Sequence, residues 1–184
     1  MDKWGAPAVN HVELVYRPGE RLLARQTMEL LGCATSDAGG VWVTVQVDPH
    51  RSGADSNNVC YFSEATPEQW ALEVELRRSF EGPGALGDAW RSFCGRMRAE
   101  PQRSSHFGIR CATQAAFEER LEAVRHAANT PELKDRIMVA GVYYPGSPGS
   151  VSTKLAQGFI WTDVVASGAL SLGQHIELQW QVAE

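Results

Sequence analysis

The sequence predicts an α+β fold in which two βαβββ modules form a curved mixed sheet around a cavity. A short alternating run with a histidine near its head occurs three times, at residues 10–16, 105–111 and 174–180. The order strand, helix, strand, strand, strand occurs twice along the chain, and a more helical stretch, residues 65–103, separates the two copies. An internal repeat of this kind is an architectural signal in its own right.

The first module is predicted over residues 8–64. In its opening strand Val12, Leu14 and Tyr16 share one face, while His11 and Glu13 lie on the other, because successive strand side chains alternate. Gly32 is placed as the C-terminal stop of the following helix. The predicted elements are a strand at 10–16, a helix at 20–31, a weak strand near Cys33 and strands at 41–47 and 59–63.

Residues 65–103 are predicted to be a helical insertion or linker. Thr66 is a suitable N-cap and Pro67 fits the first helical position, so a helix to about Phe80 is expected. A second helix is expected from Leu86 to Arg98, ahead of Pro101.

The second module is predicted over residues 104–184 and repeats the first. Thr113 is a plausible cap for its helix, whose apolar residues recur at helical spacing. The predicted elements are a strand at 105–111, a helix at 114–128 and strands at 137–144, 158–165 and 174–182.

Composition bounds the class of protein. The 184 residues are 43% hydrophobic and 21% charged with a net charge of −5, which is typical of one globular domain spanning 1–184. No clustered basic face indicates nucleic-acid binding, and no apolar run approaches the roughly 20 residues that span a bilayer. The N-terminal residues lack a secretory pattern, so a cytoplasmic location is expected. The four cysteines form no CxxC pair, which argues against a zinc knuckle or a disulfide framework.

Three residues on the polar faces of these strands are candidate metal ligands. Taken singly, His11 and His106 are explained by hydrogen-bonded histidines in a barrel interior. Glu177 is flanked by two apolar residues on a predicted central strand, where a carboxylate is costly to bury unless it is paired or metal-bound. A shared site of His11, His106 and Glu177 is therefore predicted.

The repeat, with His11 on the first strand, His106 on the fifth and Glu177 on the eighth, resembles the vicinal oxygen chelate superfamily. That superfamily includes glyoxalase I, extradiol dioxygenases and the metal-free bleomycin-binding proteins. The resemblance implies that the three residues hold one divalent metal ion, with Fe, Mn, Ni and Zn all compatible. It also implies an enzyme that chelates vicinal oxygens of a small-molecule substrate and stabilises an oxyanion or enediolate. A homodimer is expected by the same resemblance.

Further site residues follow from the same comparison. Tyr61 occupies the position that matches the fourth, carboxylate ligand of glyoxalase I, and tyrosine rarely ligates divalent metals at neutral pH. Glu13 and Tyr61 are the candidate acid–base groups, with a pair between Glu13 and Arg110 as the alternative. Arg110, His175 and Tyr143 are candidate substrate contacts, although His175 also fits a rim residue. Three tryptophans are expected to serve packing, with stacking of the cavity-facing one on a planar ligand as the alternative: Trp42, Trp161 and Trp180.

Other functions remain open at this point. An extradiol dioxygenase would add a histidine before the seventh strand and a tyrosine on it. Neither is present there, and Tyr143 or Tyr144 would have to substitute. A metal-free binding protein of the bleomycin-resistance type would use the same cavity without catalysis. A third possibility is an interaction module that uses the insertion at 65–103.

Overall fold

The structure is a computed structural model that describes residues 9–48 and 58–181. The polar stretch 48–58, which contains Pro49, His50 and Gly53, is expected from the sequence to be a loop, and its residues 49–57 lie outside the described residues. The described elements are β1 (His11–Tyr16), α1 (Arg21–Leu30), β2 (Ala34–Ser36), β3 (Trp42–Gln46), β4 (Val59–Glu64), α2 (Pro67–Glu81), α3 (Ala85–Ala99), β5 (His106–Arg110), α4 (Gln114–Ala127), β6 (Ile137–Tyr143), β7 (Leu155–Thr162), β8 (Val165–Ala166) and β9 (Gln174–Gln181). Short 3-10 helices cover Pro101–Arg103 and Leu170–Leu172. Within the described ranges, no helix is long and apolar enough to cross a bilayer.

The strands form two sheets that repeat one another. The first has the order β2-β3-β4-β1-β8 and the second the order β6-β7-β9-β5. In each, the opening strand of the module runs parallel to the last one, β1 beside β4 and β5 beside β9. The remaining neighbours within each module are antiparallel. The predicted pairing of two βαβββ modules is therefore confirmed.

One hydrophobic core joins the two modules. Leu14 and Tyr16 of β1 are buried in it, as the alternation of that strand predicted. The helix α4 covers the equivalent face of the second sheet, and the absence of a side chain at Gly158 lets it approach closely. A Cβ built on Gly158 would lie 2.8 Å from a methyl group of Leu121 and 3.2 Å from the ring of Phe117.

The chain between the last two long strands departs from the prediction. A continuous strand over 158–165 is wrong, because β7 ends at Thr162 and a separate short strand, β8, follows. The Thr162 hydroxyl accepts a hydrogen bond from the Val164 backbone N–H at 3.1 Å, which closes a local turn. β8 then pairs antiparallel with β1 and so adds a strand of the second module to the first sheet. Glu177 accordingly lies on the ninth strand.

A buried ion cluster sits at that turn. The Asp163 carboxylate, only 8% exposed, accepts hydrogen bonds from Arg17 and from Arg136, the latter at 2.9 Å. Arg136 also donates to both carboxylate oxygens of Glu20, at 2.9 and 2.8 Å. The guanidinium of Arg77 on α2 lies 3.6 Å from the same Asp163. The cluster therefore connects the first module, the second module and the insertion.

The insertion is a helical hairpin tied down at a few points. Thr66 caps α2 by accepting from the backbone N–H of Gln69 at 3.2 Å, as predicted. The buried carboxylate of Glu73 accepts from the backbone N–H groups of Leu170 and Ser171, at 2.8 and 2.9 Å. These bonds attach α2 to the chain that enters β9. α2 and α3 pack against each other, and the ring of Phe80 on α2 stacks on that of Trp90 on α3, with centroids 5.6 Å apart.

We predict that Asp163→Asn destabilises the protein by about 3 kcal/mol, because it leaves arginines partly buried without their carboxylate. Chemical denaturation followed by tryptophan fluorescence measures the change. Asp88→Asn is the matched control, since Asp88 pairs with Arg91 on the exposed surface of α3. We expect the control to change stability by less than about 0.5 kcal/mol. Equal losses in the two variants would contradict the role of the cluster.

Candidate functional site

The register of the second sheet places the candidate residues in three rows on one face. Residues paired directly across neighbouring strands point to the same side of a sheet. The first row consists of His106, His175 and Trp161. The second row consists of Gly108, Glu177 and Phe159. The third row runs Arg110, Gln179, Gln157, Tyr143. The opposite face carries the apolar residues that pack beneath α4, so this polar face is the one available for chemistry.

His106 and Glu177 meet at the centre of this face. The Nε2 atom of His106 lies 3.4 Å from the Oε2 atom of Glu177. The Nδ1 atom of His106 is 2.8 Å from the backbone carbonyl oxygen of Ser104. A carbonyl oxygen only accepts, so the Nδ1 atom of His106 donates to Ser104 and Nε2 is the nitrogen that faces Glu177. The pair thus presents an imidazole nitrogen and a carboxylate oxygen to the same point.

Two neighbours fix the carboxylate of Glu177. The Nε2 atom of Gln157 donates to Oε1 of Glu177 at 2.6 Å, which leaves Oε2 facing His106. Gly108, its partner on β5, adds no side chain, and a Cβ there would lie 3.5 Å from Oε2. Sequence reasoning did not identify Gln157 or Ser104. Gln157 shares the alternation of Phe159 and Trp161 on β7, and that parity could have placed it on the polar face.

His175 is fully buried beside this pair. Its exposed fraction is 0%, and neither Nδ1 nor Nε2 has a hydrogen-bond partner among the described residues. The pKa of His175 is lowered to about 4, mainly by burial and to a smaller extent by the neighbouring His106 and Arg98. The imidazole is therefore neutral at physiological pH. The alternative of a rim residue is wrong for His175, because Trp161 and His106 flank it in the sheet.

Aromatic rings and one helix enclose the face. The ring of Phe159 makes edge contacts with His106 at 5.2 Å and with Tyr143 at 6.0 Å between centroids. α3 packs against β6, and the guanidinium of Arg98 lies 5.3 Å over the ring of Trp161. Part of the helical insertion therefore covers the side of the sheet on which His106 and Glu177 lie.

The other predicted residues lie on the corresponding face of the first sheet, which is more open. His11 is exposed, its Nδ1 atom is 2.7 Å from the Asn10 side-chain oxygen, and its ring makes an edge contact with Tyr61 at 5.7 Å. The Glu13 carboxylate accepts from the indole N–H of Trp42 at 3.0 Å. The structure thus brings His11, Glu13 and Tyr61 together, separately from His106 and Glu177.

A cavity of about 310 Å³ is lined by residues of both modules. His11 and its neighbours line it from the first module, and Phe107, Gly108 and Ile109 line it from the second, whereas His106 and Glu177 do not border it. Within residues 9–48 and 58–181, no three His, Cys, Asp or Glu side chains are grouped closely enough to hold a metal ion. His106 and Glu177 form a donor pair, and the full ligand set stays a prediction.

A larger groove, of about 890 Å³, separates α1 from α4. Its walls combine apolar residues with Glu29, Glu119 and Glu132. It contains none of the predicted site residues and no histidine, so its size does not make it the reactive site. Convergent polar groups define a reactive site better than volume does.

Two side-chain predictions are corrected. The alternative pair between Glu13 and Arg110 does not form, since Arg110 donates to the side chain of Gln181 at 2.9 Å. Trp42 is not a packing residue. It is 56% exposed, and its N–H binds Glu13.

Comparison with known proteins gives structural neighbours only. No protein-family model and no curated protein matches this sequence. Among solved structures, the oxidase ChaP-H2 is similar, with a TM-score of 0.46 and 11% identity over 97% of this chain and 96% of that one. A structure described as a possible glyoxalase from Bacillus cereus is similar with a TM-score of 0.40 and 9% identity, over 94% and 98% of the two chains.

The strand order of the two sheets matches the paired βαβββ modules expected from the sequence. The likeness concerns the arrangement of the backbone, and residue roles have to come from the site itself.

We predict that protonation of His175 destabilises the fold at low pH. Between about pH 6.5 and pH 4 the unfolded chain binds a proton at His175 that the folded protein does not. The free energy of unfolding therefore falls as pH decreases through this window. One pKa unit corresponds to about 1.4 kcal/mol, so a loss of about 3 kcal/mol is expected across these two and a half units.

Denaturation curves at a series of pH values, recorded with a chelator so that no metal competes, measure this loss. His175→Leu should flatten the pH dependence, whereas His126→Leu, on the exposed side of α4, should not. An unchanged slope in His175→Leu would contradict the assignment.

Proposed function

We propose that this protein is an enzyme of the vicinal oxygen chelate type that binds a small molecule against the polar face of the second sheet. The observation that supports it is the pair of His106 Nε2 and Glu177 Oε2, each held by a further hydrogen bond. Burial of a carboxylate is costly, and a buried carboxylate that faces an imidazole nitrogen 3.4 Å away is typical of a functional site.

The proposed cofactor is one divalent metal ion. His106 and Glu177 fit it, because a ligating histidine typically donates its other N–H to a carbonyl or carboxylate, as His106 does to Ser104. His11 is the proposed third ligand, from the first module across the cavity it lines. When bound, the metal would supply Lewis-acid stabilisation of a substrate oxyanion. Fe, Mn, Ni and Zn all accept such a set.

Acid–base and binding roles follow from position. Glu13 and Tyr61 are proposed to hold and move protons, since both lie beside His11 on the open face. Glu13 is already oriented by the indole of Trp42. Tyr143 and Arg110 mark the two sides of the third row across the second sheet, where they would contact the body of the substrate.

We predict that His106→Ala and Glu177→Gln each weaken metal binding by at least about tenfold, because each removes a donor. Protein purified without chelator is analysed for bound metal, and Ni²⁺ and Zn²⁺ affinities are measured by calorimetry. His126→Ala is the control, since its imidazole lies on α4. Wild-type protein without stoichiometric metal, and with affinities equal to those of the two variants, would contradict the metal-dependent function.

His11→Ala tests the third ligand separately. A loss comparable to that of His106→Ala supports a site shared by both modules. An unchanged affinity would restrict the donors to the second sheet.

We predict opposite effects of His175→Leu on stability and on ligand binding. The substitution removes two buried nitrogens without partners and should raise the free energy of unfolding at pH 7 by about 1 kcal/mol. It should also weaken binding of 4-nitrocatechol, a chromophoric probe with vicinal oxygens, because His175 is buried beside His106 and supports the side of the sheet on which the probe is proposed to bind. Gln179→Leu in the next row is the comparison. Unchanged binding of the probe would show that His175 is only structural.

A metal-free binding protein is the second candidate function. One observation favours it, namely that no third donor stands with His106 and Glu177 in the described chain. Binding of 4-nitrocatechol to chelator-treated protein, unchanged in His106→Ala, supports that candidate. Oxygen uptake with catechols by metal-loaded protein would instead support ring cleavage by an extradiol dioxygenase.

A further inference from the structure

The guanidinium of Arg98 differs from the other described arginines in having no acceptor. In the described part of the chain, ten of the thirteen arginines form an ion pair with a carboxylate. The other three are Arg98, Arg110 and Arg120. Arg110 donates to the side chain of Gln181, and Arg120 donates to the thiol of Cys111 at 3.0 Å. Arg98 makes neither an ion pair nor a hydrogen bond with the described residues, and its contact is with an aromatic ring.

Arg98 lies where α3 covers the polar face of the second sheet. Its Cζ atom is 5.3 Å from the centroid of the Trp161 ring, and Trp161 shares a row with His175 and His106. Arg98 is close enough to His175 for its charge to contribute to the lowered pKa of that imidazole. The indole itself packs on Gly173, where an added Cβ would lie 2.5 Å from Nε1. The Trp161 ring is therefore a fixed base for the guanidinium.

This stacking leaves the hydrogen-bonding edge of Arg98 free. An aromatic ring attracts the flat face of a guanidinium, so the N–H groups in its plane keep their capacity to donate. Two such N–H groups side by side match the two oxygens of a carboxylate. Arg98 is exposed, so an anion in solution can reach it. Its positive charge also offsets the repulsion that the Glu177 carboxylate exerts on an anion bound to the same face.

Buried polar atoms beside Arg98 provide an independent indication of a bound molecule. Neither ring nitrogen of His175 and not the Oε1 atom of Gln157 has a hydrogen-bond partner among the described residues. His175 is 0% exposed and Gln157 6% exposed. Gln157 holds Glu177 through its Nε2 atom, so its Oε1 atom is left to accept from another donor. Buried polar groups are almost always hydrogen-bonded, and a ligand with hydroxyl groups on this face can supply the partners.

We propose that Arg98 binds an anionic group of the substrate, so that the substrate is a small aromatic carboxylate with vicinal oxygens at its other end. This inference rests on the proposed function, which places the vicinal oxygens at His106 and Glu177. The strands of His106 and Trp161 are separated by that of His175, a span of about 10 Å between their backbones. The side chains of both residues extend over the face, and one substituted aromatic ring bridges the remaining distance.

The experiment compares two probes that share their vicinal oxygens and differ by one negative charge, 3,4-dihydroxybenzoate and its methyl ester. Binding to the full chain, purified without chelator, is measured by calorimetry at pH 7. Wild type is expected to bind the acid about tenfold more tightly than the ester, since the pair with Arg98 contributes a charge-assisted hydrogen bond. Arg98→Gln is expected to remove this preference, and Arg98→Lys to retain part of it because the charge remains.

Two further arginines serve as controls. Arg96→Gln should keep the preference, because Arg96 pairs with Glu100 and two residues along a helix place it on the opposite side from Arg98. Arg110→Gln should also keep it, and a preference lost in that variant alone would overturn the assignment to Arg98. A wild type that binds both probes equally, or an Arg98→Gln variant that still prefers the acid, overturns the proposal and leaves the proposed function standing. A wild type that binds neither probe overturns both.

Discussion

The buried carboxylate of Asp163 is the constraint on which the arrangement of the chain depends. Arginines from the end of β1, from α2 and from the start of β6 surround it, so one ion cluster fixes both modules and the insertion. A carboxylate in such a place requires its partners, since a lone buried charge costs several kcal/mol. The cost of separating these groups keeps β8 against β1. The turn that carries Asp163 thus holds the second module to the edge of the first sheet.

The Asp163 cluster thereby fixes the position of the polar face of the first sheet relative to that of the second sheet. Because β8 continues into the chain that leads to β9, the position of Glu177 is coupled to the same anchor. The carboxylate of Glu73 adds a second tie on that connection by accepting from Leu170 and Ser171. The insertion is consequently held at α2, and its helix α3 extends over the second face. One side of α3 therefore covers the site, and its other side is exposed.

The sequence predicts the elements well and the pairings between them poorly. Alternation identified the buried residues Leu14 and Tyr16 and the polar face of β9, because the strand period of two is a local property. It could not show that His175 would be fully buried, since its burial comes from Trp161 and His106 on neighbouring strands. The two-residue strand β8 was missed for the same reason. A pair of residues has no periodicity, and only contact with β1 makes it a strand.

The candidate site residues also divide into those that a local sequence pattern identifies and those that only the folded structure shows. His106 and Glu177 were identifiable because each interrupts an apolar alternation at a cost that suggests function. Gln157 and Ser104, which orient them, were missed. Strand parity could have placed Gln157 on the polar face, but neither a glutamine in a strand nor a backbone carbonyl has a chemical signature in the sequence. The indole of Trp42 was predicted to pack, since tryptophans are usually buried for their apolar area. Its position on the open face beside Glu13 follows from the pairing of β3 with β4 and of β4 with β1.

The repeat also explains why the two faces cannot carry equivalent sites. Register pairs Glu13 with Tyr61 in the first sheet and Gly108 with Glu177 in the second. The carboxylate therefore lies on the first strand of the first module, β1, and on the last strand of the second module, β9. In the second module it stands opposite a glycine, so its oxygen is free to approach the histidine at the head of β5. In the first it stands opposite a phenol and accepts a hydrogen bond from an indole. The same framework thus occurs twice, and among the described residues of the second copy it brings the imidazole of His106 and the carboxylate of Glu177 into contact.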